Sequence, residues 1–212
     1  MRSSLLLIAF AATLVVGRLN GDVIISAPTV ATAPGSSGVF DVLLTNNSTS
    51  AVVGIGAFSF DISTTNPGVR FTGASTNTTA APYVYAGDSF AAINGFPLAT
   101  RTGQELTASD IPNDGVEPFV GSGQTVSLGE ISYVISPAAA FTSVPITFSS
   151  TGTSLAGYLG SPVAFTTVNG AVSLVPEPAP LSLLGVCILA ALASALKGAR
   201  YVRAAESEPG TK

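Results

Sequence analysis

Histidine and tryptophan are absent from the 212 residues, cysteine occurs once, and charged residues make up only 9%. Each absence excludes something. Without histidine the chain lacks the commonest general base and the commonest zinc ligand. A Ser-His-Asp or Cys-His catalytic set is impossible. The single cysteine, Cys187, lies in an apolar run near the C-terminus, so no disulfide can form in the long segment before it. Stability there must come from packing. Between Asp22 and Val175 the only cations are Arg70 and Arg101, against Asp22, Asp41, Asp61, Asp88, Glu105, Asp110, Asp114, Glu117 and Glu130, a net of −7. Such a surface repels nucleic acid and anionic lipid alike.

Apolar runs occupy both ends. Arg2 precedes an apolar stretch from Leu5 to Val16, with small residues at Gly17 and Gly21 as alternative cleavage points. This order predicts a signal peptide over residues 1–21, the plainer alternative being an uncleaved N-terminal anchor. Near the other end, Ala179 to Leu196 is an uncharged run of eighteen residues. At about 1.5 Å rise per residue that is the short end of a spanning length, and it predicts a transmembrane helix over 179–196. Lys197, Arg200 and Arg203 follow as a basic membrane stop, which places 204–212 in the cytoplasm and the bulk of the chain outside.

The region 22–174 is long enough for one domain with a core. Phe58, Phe60 and Ile62 alternate with Ser59, Asp61 and Ser63, and Ile131, Tyr133 and Ile135 alternate with Glu130, Ser132 and Val134. Period two predicts strands over Ala57–Ser63 and Leu128–Ile135, and likewise over Val39–Thr45 and Val144–Phe148. Shorter strands are expected at Val23–Ser26, Val69–Thr72, Tyr83–Tyr85, Val163–Thr167 and Ala171–Leu174. Pro34-Gly35, Asn46-Asn47-Ser48 and Asn66-Pro67-Gly68 break the runs, and Asn169-Gly170 predicts a tight hairpin. With no sustained helical stripe, the expected class is all-β, an antiparallel sandwich of eight or nine strands.

Val175-Pro176-Glu177-Pro178, the apolar run and the basic stop together resemble the PEP-CTERM sorting signal, here covering 175–203. The resemblance implies secretion through the signal peptide and then processing by an exosortase-type membrane protease. There is a physical reason for the triplet: two prolines cannot extend the helix upstream and hold the backbone extended, presenting Glu177 at the membrane boundary. A plain tail anchor is the alternative. The outer domain carries a second resemblance, through Gly38-Val39-Phe40-Asp41-Val42, Gly54 to Asp61, Leu128-Gly129-Glu130-Ile131-Ser132-Tyr133 and Gly170-Ala171-Val172. These look like the jelly-roll sandwiches of the cohesin and carbohydrate-binding-module group. That resemblance implies a non-catalytic module that binds dockerins or polysaccharide.

Three sets of residues are candidates for chemistry. Asp110, Asn113, Asp114 and Glu117, within the polar insertion Arg101–Gly123, could gather oxygen ligands for calcium, although the spacing matches no EF-hand loop. Tyr83, Tyr85, Phe90 and Phe96 could stack on sugar rings, or could plug the end of a sandwich core. Asp61, Asp88, Glu105 and Glu130 could supply a glycosidase pair, which needs two carboxylates at a fixed gap. Asn46, Asn47 and Asn77 also match the N-x-Ser/Thr acceptor pattern. The reading that emerges is an exported, non-enzymatic surface or matrix protein, structural or adhesive within exopolysaccharide. A carbohydrate-binding module and a polysaccharide-modifying enzyme are its rivals.

Overall fold

A computed structural model describes residues 23–49 and 51–175. The signal peptide, the Pro176-Glu177-Pro178 motif, the 179–196 run and the basic stop lie outside the described residues. Among those described, no helix is long and apolar enough to cross a membrane.

Strand formation follows the apolar alternation. In chain order the elements are β1 (Val23–Ser26), β2 (Thr29–Thr32), β3 (Ser37–Asn46), β4 (Val53–Gly54), β5 (Ala57–Ser63) and β6 (Val69–Ser75). The helix α1 (Phe90–Asn94), β7 (Ala99–Arg101), β8 (Glu105–Asp110), β9 (Phe119–Val120) and β10 (Thr125–Ile135) come next. Last are β11 (Ser143–Phe148), β12 (Ser154–Ala156), a 3-10 turn (Tyr158–Gly160), β13 (Phe165–Val168) and β14 (Gly170–Leu174). One sheet has the order β13-β1-β3-β10-β6 and the other β2-β14-β11-β5-β8-β7, with β12 also on β5.

The core lies between the sheets. Ile25, Phe40, Val42, Leu44, Phe71 and Ile131 come from one, Phe58, Phe60, Ile62, Leu106, Ile146 and Val172 from the other. Each large side chain so buried contributes about 1.5–3 kcal/mol. In β5 the three inward residues are the ones the alternation selects, Phe58, Phe60 and Ile62. In β10 the register against β3 slips between Ser127 and Gly129, a bulge that lets both Leu128 and Ile131 reach the core.

Three expectations are corrected. Asn169-Gly170 is not a hairpin: β13 pairs with β1 in one sheet, while β14 pairs with β11 and β2 in the other. The chain changes sheet there, as it does at Ala27-Pro28, and β1·β13 and β2·β14 are parallel pairings within an otherwise antiparallel sandwich. Proline, with no N–H to give to a ladder, suits the first of these corners. Tyr83–Tyr85 is a turn, whose backbone pairs with a strand through a single bridge from Tyr83 to Ser127. Finally, the supposed polar insertion contains β8, which pairs with β5 along its whole length.

Gly103, between β7 and β8, bridges to Phe71 of β6. The sheets therefore touch on this side, and the shared β1/β2 and β13/β14 strands join them on the other. Loops 76–98, 111–118 and 157–161 are left at one end.

Candidate functional site

That end is organised around Asp110, the last residue of β8. It points inward after Leu106 and Ala108, and only 5% of its surface is exposed. Its Oδ2 accepts hydrogen bonds from the Tyr83 hydroxyl at 2.7 Å and from the Ser89 hydroxyl. Its Oδ1 accepts from the Ala91 N–H at 3.0 Å. Ser89 is also the N-cap of α1, its Oγ accepting from the Ala92 N–H. One carboxylate thus ties the Tyr83 turn and the first turn of α1 to the sheet. Burial, and then the hydrogen bond to Asp110, raise the Tyr83 phenol well above its ordinary value. Burial first, and then the Asp110 and Glu117 carboxylates, do the same to Tyr85.

The four candidate sugar-stacking rings divide into two pairs. Tyr83 and Tyr85 are buried, and Tyr85 stacks on Phe58 with centroids 5.7 Å apart. They close the end of the core. Phe90 and Phe96 are exposed, at 38% and 58%, and stack on each other with centroids 5.8 Å apart and 10° between planes. They line a hollow of about 390 Å³ with Phe58, Pro97, Thr100 and Ile111. Ile111 is shared with a second hollow of about 290 Å³, lined by Pro112, Glu117, Tyr158 and Leu159 among others.

The calcium set is not assembled. Asp110 is turned inward and holds three donors, whereas Asn113 and Asp114 sit on an exposed turn and Glu117 packs against Gly54. Among the described residues, no group of three acidic side chains lies close enough to share a metal ion. The physical reason is local: continuing β8 to Asp110 carries that carboxylate into the domain interior and away from the turn that follows.

The glycosidase candidates are dispersed as well. Asp61 and Glu105 lie on the outward side of β5 and β8, and Glu105 is ion-paired with Arg101. Glu130 lies on β10 in the other sheet, and Asp88 precedes α1, where its backbone carbonyl accepts from the Asn113 N–H. Asn46 is no acceptor for glycosylation. It is fully buried, its Nδ2 donating to the Ala51 and Val120 carbonyls. Asn47 and Asn77 are exposed.

Sequence reasoning missed Ile93, Ile111, Tyr158 and Leu159, which are 54%, 44%, 70% and 88% exposed. Their signal is faint, single apolar residues in loops otherwise rich in Gly, Pro and Asn.

No protein-family model matches the sequence, and no curated protein matches it. Solved structures do. The sixth cohesin of Acetivibrio cellulolyticus scaffoldin B, determined with a Cel5 dockerin, is 18% identical, with 72% of this chain and 99% of that chain covered at a TM-score of 0.53. CaCohA2 of Clostridium acetobutylicum is 15% identical, with 75% and 94% covered and a TM-score of 0.53. The third cohesin ScaC of Acetivibrio cellulolyticus, determined with the ScaB dockerin, is 15% identical, with 73% and 99% covered and a TM-score of 0.52. At these identities the likeness shows the fold alone: the described domain is a cohesin-like β-sandwich.

Proposed function

We propose that the chain is an exported, non-catalytic binding module, structural or adhesive at the cell surface or in extracellular polysaccharide, and sorted there through its PEP-CTERM-like tail. The observation that carries the non-catalytic reading is the use made of the carboxylates. Asp110 ties loops to the sheet, Glu105 is paired with Arg101, and Asp41 accepts from the Thr79 and Ala80 N–H groups under a loop. The chain has no histidine to act as a general base, and Asp88 and Asp114, which do meet beside a small hollow, sit on an exposed turn. The cohesin-like fold supports the same reading, since two of the three solved cohesins named above were determined with dockerin partners.

The sorting part rests on the sequence. The last strand closes at Leu174 and the Val175 N–H donates to the Thr32 carbonyl at 2.8 Å, so one residue, Val175, separates the strand from the Pro-Glu-Pro triplet. An exosortase-type protease would then act directly beside the folded domain. In the native host, deletion of that protease is expected to trap the full-length chain in the membrane fraction. Release of the same amount of protein with and without the enzyme would defeat the sorting reading.

A second reading, carbohydrate binding, is favoured by one observation, the exposed Phe90 and Phe96 rings. Affinity electrophoresis in gels containing the host polysaccharide checks it: retention lost in Phe96→Ala supports it, and unchanged retention removes it.

A further inference from the structure

Leu159 is the single non-glycine residue with positive φ among the described residues, at 53°, and it is 88% exposed. Both features oppose folding. A branched side chain is disfavoured in the left-handed region, where Gly or Asn sits without strain, and an isobutyl group held in water gains nothing from burial. Backbone strain of this kind concentrates where a side chain is kept for contact. Tyr158 beside it is 70% exposed.

Leu159 does not stand alone. It borders one hollow, Ile111 joins that hollow to the next, and Phe90 and Phe96 wall the far side. These exposed apolar groups form a band along the loop end. Large apolar side chains gathered in this way on a surface mark an interaction site. The neighbouring charge is of one sign: Asp88, Asp114 and Glu117 surround an adjoining hollow of about 170 Å³. The described residues include only two cations, Arg70 and Arg101, and Arg101 is paired with Glu105.

Resting on the reading of the chain as a binding module, we propose that the Phe90–Ile111–Leu159 band docks a polypeptide segment that alternates apolar and cationic side chains. Apolar residues enter the two hollows, and Lys or Arg meets the carboxylates beside them. A second copy is a poor occupant, because it would bring the same acidic rim against this one.

The test uses the full chain in phosphatidylcholine nanodiscs, with empty nanodiscs as reference. A short fluorescent peptide alternating leucine and lysine is titrated by anisotropy, beside leucine/glutamate and serine/lysine versions. Hydrogen-exchange mass spectrometry maps the contact. The expected result is binding of the leucine/lysine peptide alone, weakened by added salt, with protection over 88–96, 109–118 and 157–161. Leu159→Gly, which relieves the backbone, is expected to keep or raise the melting temperature and to weaken binding roughly tenfold or more. Phe96→Ser is a second variant for the far hollow.

Equal binding of the leucine/glutamate peptide, protection elsewhere, or no loss in either variant would overturn the proposal. So would no binding by any peptide, self-association abolished by Leu159→Gly, or host polysaccharide protecting these segments where the peptides do not. Binding here is read on the uncleaved chain without any processing step, so its outcome decides the docking proposal alone and the sorting reading stands or falls by the protease deletion.

Discussion

Gly170 crosses the Pro28 carbonyl so closely that a Cβ at position 170 would collide with its oxygen and stand 2.8 Å from the oxygen of Ala27. The Ala171 N–H donates to that same Pro28 carbonyl at 3.3 Å, and the Ala27 N–H donates to Val168 at 3.1 Å. The first and last strands, paired in parallel on either side of this corner, therefore change sheets side by side. What closes this side of the sandwich is a crossing of two strands rather than a hairpin.

Gly170→Ala is expected to destabilise the domain by about 3 kcal/mol, because the obstructing atoms belong to backbone and cannot rotate away. Urea denaturation measures it. A loss below about 1 kcal/mol would mean that the corner yields.

Tyr83 and Tyr85 are expected to respond in opposite directions to removal of their hydroxyls. Tyr83→Phe deprives the buried Asp110 of a donor and costs about 2 kcal/mol. The Tyr85 hydroxyl is buried without a hydrogen-bond partner among the described residues, so Tyr85→Phe is expected to be neutral or to stabilise by up to about 1 kcal/mol. Thermal and urea unfolding of the two variants, compared with the parent, check the contrast.

Alkaline pH acts on the same pair. Burial holds both phenols above their ordinary value of 10.0 in the folded state, with the Asp110 hydrogen bond adding to it for Tyr83 and nearby carboxylates for Tyr85. Their contribution is complete below the unfolded value and declines as pH rises above it, because only the unfolded chain releases the protons. Each group lowers stability by about 1.4 kcal/mol per pH unit in that range, about 2.7 for the two together. Tyr85→Phe is expected to halve that slope in urea titrations between about pH 10 and 11.5. A slope unchanged by the substitution would contradict the burial.

The sequence made the central strands plain because Phe58, Phe60 and Ile62 obey a period of two and burial enforces it. β8 was obscured by its own chemistry. Its inward residues are Leu106, Ala108 and Asp110, and a carboxylate in the third position hides the apolar alternation. Asn169-Gly170 carries the local signature of a hairpin, but the glycine serves a close approach to Pro28, a residue about 140 positions earlier that no local pattern reveals. Tyr83, Val84 and Tyr85 are apolar in sequence because they are buried in a turn packed under loops, and a run so short reads the same as a strand. The apolar band was illegible for a similar reason. Phe90, Ile111 and Leu159 are brought together only by the folded loop end, and a left-handed leucine has no sequence signature.

Intact-mass spectrometry of the protein recovered from the surface and extracellular fractions of the native host addresses the exported, processed sandwich most directly. The expected mass lacks both the first segment, ending near Gly17 or Gly21, and everything beyond the Pro176-Glu177-Pro178 region. A surface-associated chain that still ends at Lys212 would contradict it.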